Sequence, residues 1–195
     1  FNQEKMMRAI YWMNREYQRM LIYHFEEGFF TMFGVPEKPS VWYTSWALYI
    51  LSDIKNDPQL ERMGLFIDSN LICNSINWLV SVQNSINGSW AEISPIYNRN
   101  FMSNLTNLDY QEEPVRLNLS LTAQCLIAIK LNSDLVIRNQ GSTKRLSAQL
   151  VSNSIQKARL YLEKHFSRIT DQFELSIVTY ALHLVNSPIK DFAWQ

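Results

Sequence analysis

Glycine and proline are scarce, 5 and 6 residues in a chain of 195. A turn-rich all-β protein needs more of both, so the shortage favours helices. Cysteine is scarcer still. Cys73 and Cys125 are too few for a disulfide scaffold. Both sit in apolar, helix-like runs, where a free thiol behaves as a small hydrophobe. Two buried thiols are the default expectation, and a bridge between them stays open because sequence does not show whether they meet. There is no CxxC pair, and His24, His165 and His183 lie far from either cysteine in the chain. No zinc set or other cofactor is therefore expected.

A charge excess of one sign is also missing. The 18 basic and 18 acidic side chains cancel. Nucleic-acid binding leans on clustered Lys and Arg, so no nucleic-acid partner is expected. The nearest approach to a cluster, Lys144-Arg145, reads as ordinary surface. No apolar run reaches the ~18–20 residues of a membrane span, and no signal peptide is visible. The chain opens on Phe1 without an initiator Met and ends on "KDFAWQ". The expectation is a fragment of a longer protein.

Apolar surface, by contrast, is plentiful: 47% of residues are hydrophobic and 13% aromatic. Residues 2–24 carry Met6, Ile10, Met13, Tyr17, Met20 and Leu21 at spacings of three and four, an amphipathic helix. Similar patterns cover about 67–82 and 147–166. Three other segments, about 41–55, 118–131 and 172–186, are apolar nearly all round and read as buried helices. Asp68 or Ser69 can cap the helix near 67. His24, beside Glu26 and Glu27, reads as a solvated helix end.

Amphipathic and apolar helices therefore alternate. The first two loops between them hold related pieces, "GFF" at 28–30 and "GSW" at 88–90, 60 residues apart. This predicts a repeat of outer-then-inner helix pairs. Apolar helices ringed by amphipathic ones make an all-α, two-layer α/α toroid, of which residues 1–195 supply about three pairs. A plain helical solenoid is the alternative.

One interruption stands out. From Gln83 to Leu117, about 35 residues show no helical pattern. Loops of that length are usually functional or disordered. This one begins "QNSINGSWAEISPIYNRNFMSN". Gln83, Gly88 and Trp90 read as a staple from one helix pair to the next, with Trp90, Tyr97 and Phe101 packing on the end of the toroid. Asn87-Gly-Ser, Asn104-Leu-Thr and Asn118-Leu-Ser are acceptor sequons for N-linked glycans. Asn118 also stands where a helix starts, as a cap would.

Five segments, in order from Tyr17 to Pro188, carry a resemblance. They are "YQRMLIYHFEEGFFTMFG", "SVWYTSW", "FIDSNLICNSINWLVSVQNSINGSWAE", "LSLTAQCLIAI" and "SIVTYALHLVNSP". Together they resemble the thioester domain of the alpha-2-macroglobulin/complement family, an α/α toroid. The resemblance implies covalent attachment to targets through a Cys–Gln thioester in a G-C-G-E-Q motif, opened by hydroxyl or amine groups after proteolysis. This is acyl transfer from a stored electrophile, without turnover. The motif lies upstream of the first matching segment in the family. It is not found here, and neither Cys73 nor Cys125 has its context. The fragment is thus expected to lack the thioester segment and the last part of the domain.

In hydroxyl-preferring members a His follows the G-S-F-x-E element and forms an acyl-imidazole. Counting from Glu92, that position falls on Asn98, just after Tyr97. Asn cannot take this role, so the resemblance implies preference for amines. Ser103-Asn104 replaces a frequent Gly-Gly pair. The implied protein is secreted and serves innate immunity or protease control. Its implied partners are microbial or cell surfaces, proteases and other domains of its own chain. A member without a thioester, binding non-covalently, is the second reading. A third rests on "QNSINGSW", which resembles the Q-x-G-x-W repeat of terpene cyclases; these share the α/α barrel with prenyltransferases. That chemistry needs an Asp-rich acid motif or a zinc set, and every Asp here is isolated.

Overall fold

Short polar residues placed just before the apolar runs start most of the helices. The computed structural model describes residues 3–33, 38–94, 118–138 and 147–190. Eight α-helices lie within them: α1 (Gln3–Leu21), α2 (Val41–Asn56), α3 (Pro58–Arg62), α4 (Ser69–Ser81), α5 (Leu119–Leu131), α6 (Ser133–Arg138), α7 (Ala148–His165) and α8 (Gln172–Leu184). Ser40, Asp57, Asp68, Ser147 and Asp171 each accept a backbone N–H at the start of α2, α3, α4, α7 and α8. Each such cap contributes about 1 kcal/mol. Asn118 holds the cap position of α5 but makes no capping bond with its side chain.

The inner layer is α2, α5 and α8, with α5 packed between the other two. Ten of the thirteen residues of α5 are buried, which is why it shows no polar stripe. In the outer layer α4 packs on α2, and α7 packs on α5 and α8. The outermost helix, α1, buries only Ile10 and Tyr17. It is tied down by the Asp68 N–H, which donates to the Tyr17 hydroxyl at 3.2 Å, and by Asn14 Nδ2, which donates to Gly64 O at 3.3 Å. The alternation expected from the sequence is thus a real layering: an all-helical arc of three outer/inner pairs, as in an α/α toroid.

The repeat extends to atomic detail. Gly28 and Gly88 both take positive φ, 101° and 81°. A Cβ on Gly28 would fall 2.3 Å from Asn74 O in α4, and one on Gly88 would fall 2.6 Å from the Lys157 backbone in α7. Only glycine lets either loop lie this close to the next outer helix. Two residues later, Phe30 and Trp90 are fully buried. The Phe30 N–H donates to Thr44 Oγ1 at 2.8 Å and the Trp90 N–H to Thr122 Oγ1 at 3.2 Å. Thr44 and Thr122 are each the fourth residue of an inner helix.

Two details differ from the sequence reading. Helices α3 and α6 fall outside the six segments read as helical; the Asp57-Pro58 pair, cap plus proline in the first turn, was the signal for α3. His24 is not a solvated helix end. Helix α1 stops at Leu21, the Gly28 turn folds the chain back, and His24 pairs with Phe30 in an isolated antiparallel bridge. Its ring lies 4.8 Å from that of Phe30. Burial lowers its pKa, with the nearby Asp68 charge opposing. Cys73 and Cys125 are both buried thiols and neither is in a disulfide, as expected.

Candidate functional site

The loop after α4 is closed by its own hydrogen bonds. Gln83 Nε2 donates to Gly88 O at 2.8 Å and to Ser154 O in α7 at 3.1 Å. The Asn84 side chain accepts the N–H groups of Ile86 and Asn87, and its backbone pairs with Ser89 and Gly88. The turn is therefore closed on itself and held against α7. Trp90 drops into the core, where its Nε1 donates to Leu79 O at 2.7 Å. Gln83, Gly88 and Trp90 join α4, α5 and α7 as a staple.

Two residues on, Glu92 is buried, with 2% of its surface exposed. Its Oε2 accepts from the Trp42 N–H at 2.6 Å and from the Ser40 hydroxyl at 3.3 Å. Its Oε1 accepts from Val41 N at 3.2 Å, Ile93 N at 2.9 Å and Ser94 N at 3.0 Å. A buried carboxylate is tolerable only when its oxygens are satisfied. Here they meet the positive N-terminal end of α2, where free N–H groups and the helix dipole favour an anion. Ser94 Oγ then donates to Lys38 O at 2.8 Å and contacts Pro39 O at 3.3 Å. Chain departure after Ser94 is thus fixed against the start of α2.

The sequence did not reveal that Glu92 accepts from Ser40, Val41 and Trp42, some 50 residues away. Ser40, Ser94, Thr44 and Thr122 were not singled out at all. The signal for the two threonines was present, since each sits in a matching "YTSW" or "LTAQ" piece.

Below this loop, burial pushes the Cys125 thiol well above its ordinary pKa, a Ser45 hydrogen bond pulls it down, and the Glu92 charge adds to the rise. Such a thiol is not a nucleophile. Asn98, Tyr97 and Asn104 lie outside the described residues. Asn87 and Asn118 both line an open groove of about 780 Å³ between the loop and α7, with Tyr161, Lys164 and His165 on its far wall. Among the described residues no three His, Cys, Asp or Glu side chains gather to hold a metal, and no helix is long and apolar enough to cross a membrane.

The family model for the complement-type A-macroglobulin TED (thioester) domain matches residues 1–194. The chain belongs to that family. Complement C3 of Oncorhynchus mykiss is 25% identical over 179 residues, covering 92% of this chain and 10% of that protein. The chain thus spans a tenth of the length of this relative, and the TED-domain resemblance read from its five segments holds across nearly all of it.

Proposed function

We propose that this TED domain belongs to a secreted protein of innate immunity or protease control that attaches covalently to its targets. On this reading the Cys–Gln thioester stands upstream of residue 1, and the described arc is part of one toroid. Attack by a target nucleophile on the thioester carbonyl forms an ester or amide and releases the cysteine thiolate. One event consumes the electrophile, so the protein acts once and is not an enzyme. Its partners are target surfaces, proteases and the other domains of its own chain. The family match over residues 1–194 carries this reading. The Glu92 anchor supports it, because it fixes the point from which the chain leaves toward Asn98.

Asn98 in place of an imidazole favours direct attack by amines. The test is proteolytic activation of the parent protein in the presence of a labelled target. Adducts that survive denaturant and resist hydroxylamine, as amides do and esters do not, are the expected result. No denaturant-stable adduct would overturn the covalent reading. The second reading, a thioester-less binding protein, is favoured by the Asn104 sequon, since a glycan there would crowd a working thioester.

A further inference from the structure

Two of the three sequons fall on described residues, and the fold exposes their asparagines to different degrees. Asn87 is exposed at the tip of the 84–89 turn. Its Oδ1 accepts from the Ser89 N–H at 2.9 Å and from the Ser89 hydroxyl at 2.8 Å. This Asx turn engages the carbonyl oxygen of the amide, so its bonds do not depend on Nδ2, the atom a glycan joins. Gly88, in the middle of the sequon, is packed on the Lys157 backbone, so the turn is anchored from below and open above.

Asn118 is the reverse. It is half-buried at the start of α5. Leu119 and Ser120 behind it are 2% and 1% exposed. The Ser120 hydroxyl donates to Glu174 Oε1 at 3.2 Å in α8, and so is committed to holding two inner helices together. Glycans are bulky and need open surface.

We propose that Asn87 carries an N-linked glycan and that Asn118 does not. The proposal rests on the secreted reading above. In the transfer, Nδ2 of Asn87 attacks the anomeric carbon of a lipid-linked oligosaccharide. A C–N bond forms and the C–O bond to pyrophosphate breaks. The pyrophosphate leaves with the electron pair, and the amide proton passes to a base of the transferring enzyme. Transfer takes place on the nascent chain, so the fold acts afterwards as a filter. Sugar on Asn87 leaves every contact of the loop intact. Sugar on Asn118 competes with the packing of α5 on α7, and such chains do not reach the folded, exported pool.

The test uses the full parent protein made in secreting cells. Peptides are treated with an N-glycan-releasing amidase in heavy-oxygen water and sequenced by mass spectrometry. Asn87-Gly88 is also a pair prone to spontaneous deamidation, so a sample without the amidase sets the background. The expected result is heavy-oxygen aspartate at Asn87 and unmodified Asn118. Asn87→Gln, at an exposed position, should remove one glycan from the intact mass, and Asn118→Gln should remove none. A secreted protein with bare Asn87, or with sugar on Asn118, overturns the proposal alone. A protein retained in the cell with both sites bare overturns it together with the secreted reading.

Discussion

Glu92 and Trp42 are 50 residues apart in the chain, yet the Glu92 carboxylate and the Trp42 backbone N–H lie 2.6 Å apart. This contact joins the second loop to the first helix of the inner layer. It should dominate the local energetics. Glu92→Ala leaves the first N–H groups of α2 and those of Ile93 and Ser94 without their acceptor. Hydrogen bonds to a charged group are worth about 1.5–3 kcal/mol each, and unpaired buried groups add to the loss. A destabilisation of about 3 kcal/mol or more is expected in urea unfolding, with Glu92→Gln recovering part of it.

The two loop glycines should behave alike, and unlike a third. Gly28→Ala and Gly88→Ala combine positive φ with collision against a helix backbone. Each should cost clearly more than the ~1 kcal/mol of an unfavourable φ alone. Gly64 also has positive φ, 92°, but a Cβ there meets nothing within 4 Å. Gly64→Ala should therefore show only the backbone cost. Thermal unfolding of the three variants checks the ranking.

The repeat predicts matched losses at Thr44 and Thr122. Replacing either by Val keeps the shape but removes the acceptor for the Phe30 or Trp90 N–H. Each should cost about 1–3 kcal/mol, the penalty for a buried donor left unpaired. Trp90→Ala, which empties a fully buried site, should cost about 3–5 kcal/mol. Equal values for the two threonines would mark them as equivalent positions.

Histidine 24 gives a pH prediction. Its pKa is lowered in the fold, burial outweighing the Asp68 charge. The folded state therefore binds fewer protons than the unfolded chain just below the ordinary value of about 6.5. Stability from this group is present above that pH and is lost as pH falls toward the folded pKa. His24→Gln should flatten the slope of unfolding free energy against pH in this window. His165 shifts the same way, by burial first and then by Arg168 and Lys164, so a residual slope of the same sign should persist.

Layering was legible from sequence because periodicity reports it directly: α5 lacks a polar stripe and α1 has a broad one. The Gly28/Gly88 pairing was legible as a repeated tripeptide. Their reason, close approach to the next outer helix, is tertiary and left no local mark. Short helices α3 and α6 were missed because five or six residues hold too little periodicity to read. His24 was misplaced because flanking charges suggested solvent, while the turn at Gly28 decided its burial. Glu92 had no visible role in the sequence, since three of its five donors lie some 50 residues away.

The central claim is that this domain serves a thioester carried by its parent chain. Methylamine treatment of the intact, uncleaved parent, followed by thiol titration and peptide mass spectrometry, tests it most directly. Cys73 and Cys125 are buried in the native fold and should stay silent in the titration. One new thiol with a methylamide on the paired glutamine is the predicted result. No thiol and no adduct in freshly purified protein would contradict the account and leave the domain a non-covalent scaffold.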